Sequence, residues 1–146
     1  MMSGLMRVGM RGGIRRGGVL MSTMVYIVED DETFAEVLEI YFNSLPEFRA
    51  IAFQSPHAAL GRILAMPPDI LILDVMLPGM QGDELAERIR EAGVTCPVII
   101  LTALLSPKEA ERSNYKIGNR VVAGKPVPLG VLKSLVCQEL GNASGL

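Results

Sequence analysis

The chain has 146 residues, of which 49% are apolar and 21% are charged, so it has the size of one globular domain and is too apolar for a disordered protein. Its 14 basic and 16 acidic residues are unevenly distributed: residues 1–23 hold four arginines and no acid, which leaves ten basic against 16 acidic residues, a net charge of −6, in the rest. A body this acidic argues against direct binding of nucleic acid, which depends on clustered Lys and Arg.

Residues 1–23 are rich in Gly, Met and Arg and hold no apolar run as long as the core of a signal peptide or a membrane span. We interpret this segment as a flexible basic tail and residues 24–146 as the folded domain, and we expect no membrane insertion. Because Met21 and Met24 stand just before the first predicted strand, two interpretations of the tail stay open. Either translation starts at an internal Met and the tail has no role, or the tail contacts an anionic surface.

Short aliphatic runs alternate with helical segments from Met24 onward, which is typical of βα units around a parallel sheet. The third and fourth runs are continuously apolar, as expected for central strands that are covered on both faces. The predicted strands are VYIV (25–28), RAIAF (49–53), DILIL (69–73), PVIIL (97–101) and RVVA (120–123). Right-handed crossovers and short connections favour an α/β, doubly wound (βα)5 flavodoxin-like fold, with a five-stranded parallel sheet in the order 2-1-3-4-5.

Between the strands, apolar residues recur at three- and four-residue spacing, which predicts a helix after each strand. We expect Val37 in the first helix and Leu64 in the second to face the core. Ser55 and Ser106 have the sequence context of N-caps, and Ser106 forms a capping-box pattern with Glu109.

Cys96 and Cys137 lie among aliphatic residues and do not have the spacing of metal ligands. They are therefore predicted to be buried thiols of a protein in a reducing compartment. We expect a cytoplasmic protein.

Acidic residues follow two of the predicted strands: Glu29, Asp30 and Asp31 follow the first, and Asp74 follows the third. In the 2-1-3-4-5 order these strands are neighbours, and ligands bind at this edge of such sheets. Converging carboxylates raise one another's pKa unless a cation is present, and oxygen ligands of this kind suit Mg²⁺. The sequence therefore predicts a Mg²⁺ site here, although Asp31 alone is better explained as the N-cap of the first helix.

A hydroxyl and an ammonium group are also expected at this edge of the sheet. Thr102 directly follows the fourth predicted strand, and Lys125 follows the fifth. A hydroxyl, an ammonium and a divalent ion can together bind three oxygens of one phosphoryl group, which is the electrostatic arrangement that phosphoryl transfer needs. Asp74 is then the nucleophile that forms an acyl phosphate. Each residue alone is common at a strand end, but their coincidence at four strand ends favours a phosphoryl-accepting site.

Four segments, VYIVEDD, LILDVMLPGMQG, PVIILTA and GKP, occur in this order and resemble the receiver domains of response regulators in two-component signalling. The resemblance covers residues 24–140 approximately. It implies a Mg²⁺ site in which the acidic pocket of Glu29 and Asp30 is joined by Asp74 and by the backbone carbonyl of Met76.

The same resemblance makes Asp74 the phosphoacceptor, with Thr102 and Lys125 against the phosphoryl group. It also implies a cis peptide bond between Lys125 and Pro126. Pro78 and Gly82 stand at the family's offsets from Asp74, and we expect them to bend the chain away from the site.

The sequence departs from the family at positions that matter for signal output. The family usually has an aromatic residue three positions before the Lys, where this chain has Val122, so little can swing on phosphorylation. In the family, the residues two positions after the phosphoacceptor and after the Thr flank the water that hydrolyses the acyl phosphate. Here they are the apolar Met76 and Leu104, which predicts a long-lived phosphoryl form.

The leading interpretation is a signalling switch that takes a phosphoryl group from a histidine kinase or a phosphotransfer protein and acts on a downstream protein target. We expect no output module after residue 140, and therefore a stand-alone receiver that is no enzyme apart from autophosphorylation from phosphodonors and slow self-dephosphorylation. The alternative is a pseudo-receiver, an interaction or dimerisation module that no longer switches. A phosphatase with an aspartate nucleophile is excluded by Met76, where such enzymes have a second Asp.

His57, at the start of the second helix, is expected to face solvent, away from the strand ends, and not to carry a phosphoryl group.

Overall fold

The structure is a computed structural model and describes residues 14–16, 19–77, 79–117 and 120–143. Strands and helices alternate along most of the described chain. The strands are β1 (Ile14–Arg16), β2 (Val19–Met21), β3 (Thr23–Val28), β4 (Phe48–Phe53), β5 (Ile70–Asp74), β6 (Val98–Thr102), β7 (Lys116–Ile117) and β8 (Arg120–Gly124). The helices are α1 (Glu32–Asn43), α2 (Pro56–Ala65), α3 (Gly82–Glu91), α4 (Pro107–Arg112) and α5 (Leu129–Ala143).

The central sheet has the order β4-β3-β5-β6-β8-β7, and its first five members are parallel. These five are the predicted strands, and their order confirms the predicted 2-1-3-4-5 arrangement. The prediction of five strands was an undercount, because β7 adds an antiparallel edge strand with Lys116 opposite Val121. This strand forms because Asn114 and Tyr115 both adopt left-handed backbone conformations (φ 57° and 59°), which turn the chain back after α4.

A short hairpin precedes the sheet, in which β1 and β2 pair antiparallel with Ile14 opposite Met21. The hairpin lies in the segment predicted to be a flexible tail, whose residues 1–13 and 17–18 lie outside the described residues. β3 begins at Thr23, one residue before the predicted start of the domain. The tail's flexibility stays a prediction.

The sheet separates two hydrophobic cores. Alternate residues of β3 face opposite layers, so that Val25 and Ile27 pack with α1 and α5 while Tyr26 and Val28 pack with α2 and α3. All five residues of β5 are buried, as predicted for a central strand. Because β5 is covered on both faces, its position in the sheet is tightly determined, and so is the carboxylate at its end.

The helices begin where their caps were predicted. Ser55 caps α2, and Ser106 forms a complete capping box with Glu109 at the start of α4. The predictions for Val37 and Leu64 were wrong, since these side chains are 42% and 48% exposed. In each helix the residue next to it in the sequence is buried. Because successive residues of a helix lie about 100° apart, Val37 and Leu64 fall outside the narrow stripe of residues that faces the core. In the part of the chain that the structure describes, no helix has both the length and the apolar character needed to span a membrane.

Cys96 and Cys137 are half-buried, so both thiols are less buried than predicted. Burial raises the pKa of the Cys96 thiol to about 11 and also raises that of Cys137. Both are therefore protonated and weakly nucleophilic at neutral pH.

Candidate functional site

Four parallel strands end at one edge of the sheet and bring their terminal residues together. Asp74 at the end of β5 lies opposite Leu101 of β6, and Thr102 lies opposite Gly124 at the end of β8. β3, the other neighbour of β5, ends just before Glu29. We call Glu29, Asp30, Asp74, Thr102 and Lys125 the strand-end site. All five were singled out in the sequence.

Three carboxylates of this site form one cluster, since Glu29, Asp30 and Asp74 each offer an oxygen atom within 4.8 Å of the others. Glu29 and Asp74 are buried and Asp30 is exposed. Burial raises the pKa of Glu29 to about 7, and the charge of Asp74 adds to this, although Lys125 opposes it. Two buried carboxylates and one solvent-facing carboxylate are a donor set that fits a hard divalent cation with part of its water shell.

Lys125 bridges the two buried carboxylates. Its Nζ lies 2.6 Å from Oε1 of Glu29 and 3.2 Å from Oδ2 of Asp74. Burial acts to lower the pKa of Lys125, but the two carboxylates outweigh it and the pKa is raised, so the ammonium is charged at neutral pH. The peptide bond to Pro126 is cis, which confirms that prediction.

Backbone N–H groups orient the carboxylate of Asp74 and the hydroxyl of Thr102 in the same way. Met76 N–H donates to Oδ1 of Asp74 at 3.1 Å, and Leu104 N–H donates to Oγ1 of Thr102 at 3.0 Å. The side chains of Met76 and Leu104 are 55% and 79% exposed, so the residues that supply these two N–H groups present apolar side chains to solvent. The backbone carbonyl of Met76 as a metal ligand stays a prediction.

Two glycines allow the loops to pack closely around the site. A Cβ atom at Gly82 would lie 2.4 Å from the backbone oxygen of Asp74, and one at Gly124 would lie 2.1 Å from the backbone oxygen of Leu105. Gly124 was singled out in the sequence only as part of the GKP segment and was given no role of its own. Pro78, expected to bend the same loop as Gly82, lies outside the described residues.

Two further residues near the site were assigned other roles in the sequence. Asp31 is the N-cap of α1, as expected, since its Oδ1 accepts from Phe34 N–H at 3.0 Å. His57 is exposed, also as expected. Its Nε2 would lie 3.9 Å from a Cβ atom at Gly79, in the loop that follows β5.

Val122, which stands where receiver domains usually have an aromatic residue, is 6% exposed and belongs to the core beneath α2 and α3. Its N–H donates to the backbone oxygen of Tyr115 at 2.9 Å. Tyr115 is half-buried in the left-handed turn that leads into β7. The strand that flanks β8 on its outer side is therefore β7, which the sequence did not predict.

Comparisons with known proteins agree with this geometry. Residues 25–136 match the family model described as the response regulator receiver domain. The chain is 31% identical over 108 residues to the Regulator of RpoS of Escherichia coli K12, which covers 74% of this chain and 32% of that protein. It is 31% identical over 118 residues to a cyclic di-GMP phosphodiesterase of Thermotoga maritima, with 81% of this chain and 31% of that protein covered. The chain thus spans about a third of the length of these curated relatives.

Solved structures show the same fold. The receiver domain of the Francisella response regulator 1452 superimposes with a TM-score of 0.70 at 24% identity and covers 84% of this chain and 99% of that one. The response regulator DrrB, a Thermotoga maritima OmpR/PhoB homologue, superimposes with a TM-score of 0.66 at 25% identity and covers 84% of this chain and 54% of that one.

Proposed function

The chain belongs to the response regulator receiver family of two-component signalling, and we propose that it accepts a phosphoryl group on Asp74 at a Mg²⁺-dependent site. The observation that carries this proposal is the surroundings of the Asp74 carboxylate. Met76 N–H holds one of its oxygens and Lys125 Nζ lies 3.2 Å from the other, at the edge of the sheet where ligands bind. Such a carboxylate is oriented, partly neutralised and placed to attack phosphorus.

The acidic cluster fits the metal that this reaction uses. Glu29, Asp30 and Asp74 would hold Mg²⁺ together with the carbonyl oxygen of Met76. When bound, the ion neutralises charge that accumulates between the carboxylates and the oxygens of the phosphoryl group. Because the pKa of Glu29 is about 7, this residue gives up its proton readily at neutral pH when a cation competes for its oxygens.

The chain's own groups support transfer at the other phosphoryl oxygens. An oxygen of Asp74 forms the new bond to phosphorus while the bond from phosphorus to the donor breaks, and a histidine donor takes up a proton as its imidazole leaves. Lys125 places a positive charge beside the acceptor. The oxygen of Thr102 already accepts from Leu104 N–H, so its O–H can donate to a phosphoryl oxygen.

We place this reaction in a signalling switch. A histidine kinase or a phosphotransfer protein supplies the phosphoryl group, and the phosphorylated chain contacts a downstream protein target. The exposed apolar side chains of Met76 and Leu104 cannot orient a water molecule for hydrolysis. They support a phosphoryl form that is lost slowly by self-dephosphorylation.

A second candidate, a pseudo-receiver that serves as an interaction module without switching, is favoured by one observation. Val122 is small and buried, so this position holds no ring that could change its place on phosphorylation. The presence of all five residues of the strand-end site favours the switch.

Intact-mass spectrometry after incubation with acetyl phosphate and Mg²⁺ tests the proposal. We expect the wild type to gain one phosphoryl group, and Asp74→Asn to gain none. Asp83→Asn is the matched control, since Asp83 is an exposed carboxylate at the start of α3, and it should behave as the wild type. If the wild type gains nothing, or if Asp74→Asn gains as much, the proposal is wrong and the pseudo-receiver becomes the better account.

A further inference from the structure

Phe34 lies beside the strand-end site without offering it an oxygen or nitrogen atom. Its side chain, in the first turn of α1, is half-buried, and Nζ of Lys125 lies over its ring, 5.3 Å from the centre. A cation within about 6 Å of the centre of an aromatic ring is attracted by the negative face of the ring. The ring is therefore a third attractive group for the ammonium, after two carboxylates.

Two hydrogen bonds link the backbone of Phe34 to Glu29 of the acidic cluster. Asp31 N–H donates to Oε2 of Glu29 at 3.0 Å, while Oδ1 of Asp31 accepts from Phe34 N–H at 3.0 Å. These two hydrogen bonds tie the first turn of α1 to Glu29. They set the backbone position of Phe34, and the face of its ring is turned toward the Lys125 ammonium.

The attraction of each of these three groups for the ammonium changes differently when the site binds Mg²⁺ and a phosphoryl group. Oε1 of Glu29 and Oδ2 of Asp74 lie 2.6 Å and 3.2 Å from the Lys125 ammonium. Under the proposed function both carboxylates would be shared with Mg²⁺, and the Asp74 carboxylate becomes an acyl phosphate, so their own attraction for the ammonium weakens. A phenyl ring binds neither a proton nor Mg²⁺, so the attraction of Phe34 persists.

We propose that Phe34 is a positioning residue for phosphoryl acceptance. Its ring keeps the Lys125 ammonium at the site while Glu29 and Asp74 interact with Mg²⁺ and the phosphoryl group. The inference rests on the proposed function, in which Lys125 contacts the phosphoryl group. Since Phe34 offers no ligand atom, it acts on the rate of phosphoryl acceptance and not on the affinity for Mg²⁺.

Substitutions that keep or remove the ring separate these two effects. Phe34→Leu keeps an apolar side chain, and we expect its maximal rate of phosphorylation by acetyl phosphate to fall about three- to tenfold, the range of a partly desolvated cation–π contact. The Kd for Mg²⁺ should stay at the wild-type value. Phe34→Tyr keeps the ring and should retain most of the rate.

A fluorinated series tests the ring's electrostatics with almost no change of shape. Successive fluorination of Phe34 withdraws charge from the ring face, so the rate should fall step by step with the number of fluorine atoms. The same series at Phe42 is the matched control. Phe42 is on the same helix but is fully buried, and its ring makes T-shaped contacts with Tyr41 and Phe48. Its fluorination should therefore leave the rate unchanged.

Nuclear magnetic resonance of labelled lysine gives a readout that does not depend on activity. The ε-protons of Lys125 should be shifted upfield by the Phe34 ring, and the shift should remain when Mg²⁺ and beryllofluoride, an unreactive phosphoryl mimic, are added. Loss of the shift on their addition would show that the ring does not hold the ammonium in the engaged site, and would overturn the inference.

The outcomes distinguish this inference from the proposed function. If the wild type accepts no phosphoryl group, the proposed function fails and the positioning role fails with it. If the wild type accepts the group and neither Phe34→Leu nor fluorination at position 34 lowers the rate, the positioning role alone is wrong. Should Phe34→Leu fail to fold, the fluorinated series decides.

Discussion

The strand-end site and the α4–β7 segment (residues 107–117) both adjoin β8, but the sequence determines them in different ways. Each residue of the strand-end site lies at or just after the carboxyl end of a buried parallel strand, so the order of the strands places it. The α4–β7 segment depends instead on two successive left-handed residues, Asn114 and Tyr115, in a turn without glycine. Side chains at strand ends can therefore be located from topology, whereas an edge segment depends on local backbone choices.

The largest effect is expected at Gly124, the last residue of β8, the strand that both regions adjoin. A Cβ atom there would lie 2.1 Å from the backbone oxygen of Leu105, so Gly124→Ala must displace the loop that joins Thr102 to α4. We expect a loss of about 3 kcal/mol in the free energy of unfolding, measured by urea denaturation. Gly61→Ala is the control, because Gly61 is exposed in α2 with no atom near its Cβ position. It should gain about 0.5–1 kcal/mol. Equal stability of the two variants would contradict the close packing described for β8.

The second effect concerns Mg²⁺ at the strand-end site. Burial raises the pKa of Glu29 to about 7, so the carboxyl is mainly protonated below that pH and mainly ionised above it. Because Mg²⁺ binds the ionised form, its affinity should rise with pH, by up to about tenfold per unit, and level off above the pKa. Glu29→Gln should bind Mg²⁺ at least about tenfold more weakly and lose this pH dependence, as titration calorimetry can show. A wild-type affinity that does not change with pH would rule out Glu29 as a ligand.

Much of the fold and of the site could be predicted from the sequence. The five parallel strands and their order follow from the aliphatic runs, and the acids, the hydroxyl and the lysine that follow those runs predict the strand-end site. Asp31 could be assigned as a cap because it directly precedes a helical pattern.

The rest depends on contacts between residues that are distant in the sequence. Gly124 matters because a loop from the neighbouring strand packs against it. Val37 and Leu64 are apolar but exposed, since periodicity alone gives an apolar stripe wider than the face that is buried. β7 forms only because Asn114 and Tyr115 reverse the chain, which their residue types do not signal strongly.

A third, smaller effect tests the turn in the α4–β7 segment. Asn114→Ala places an alanine at φ 57°, a backbone region where it is strained, and should lose about 1 kcal/mol in the free energy of unfolding. Asn114→Gly should equal or exceed the wild type. Glu111→Ala, at an exposed position of α4, is the control and should change stability by less than about 0.5 kcal/mol. If Asn114→Ala is as stable as its control, the left-handed turn is absent in solution.

The smallest effect concerns the lifetime of the phosphoryl form. Met76, whose N–H donates to Asp74, has an exposed apolar side chain. We expect Met76→Asn, which can orient a water molecule, to lose the phosphoryl group severalfold faster than the wild type. Met76→Leu should match the wild type. Loss of phosphate is followed by intact mass after the donor is removed, and rapid loss from the wild type without any phosphatase would refute a long-lived form.

The central claim is that Asp74 is the residue that accepts the phosphoryl group. Reduction with borohydride converts an aspartyl phosphate to homoserine, and peptide mass spectrometry then locates the modified residue. After incubation with acetyl phosphate and Mg²⁺, we predict homoserine at position 74 and at no other aspartate. Homoserine at Asp30 or Asp31 in place of Asp74, or a phosphorylated protein in which position 74 is still aspartate, would contradict the account.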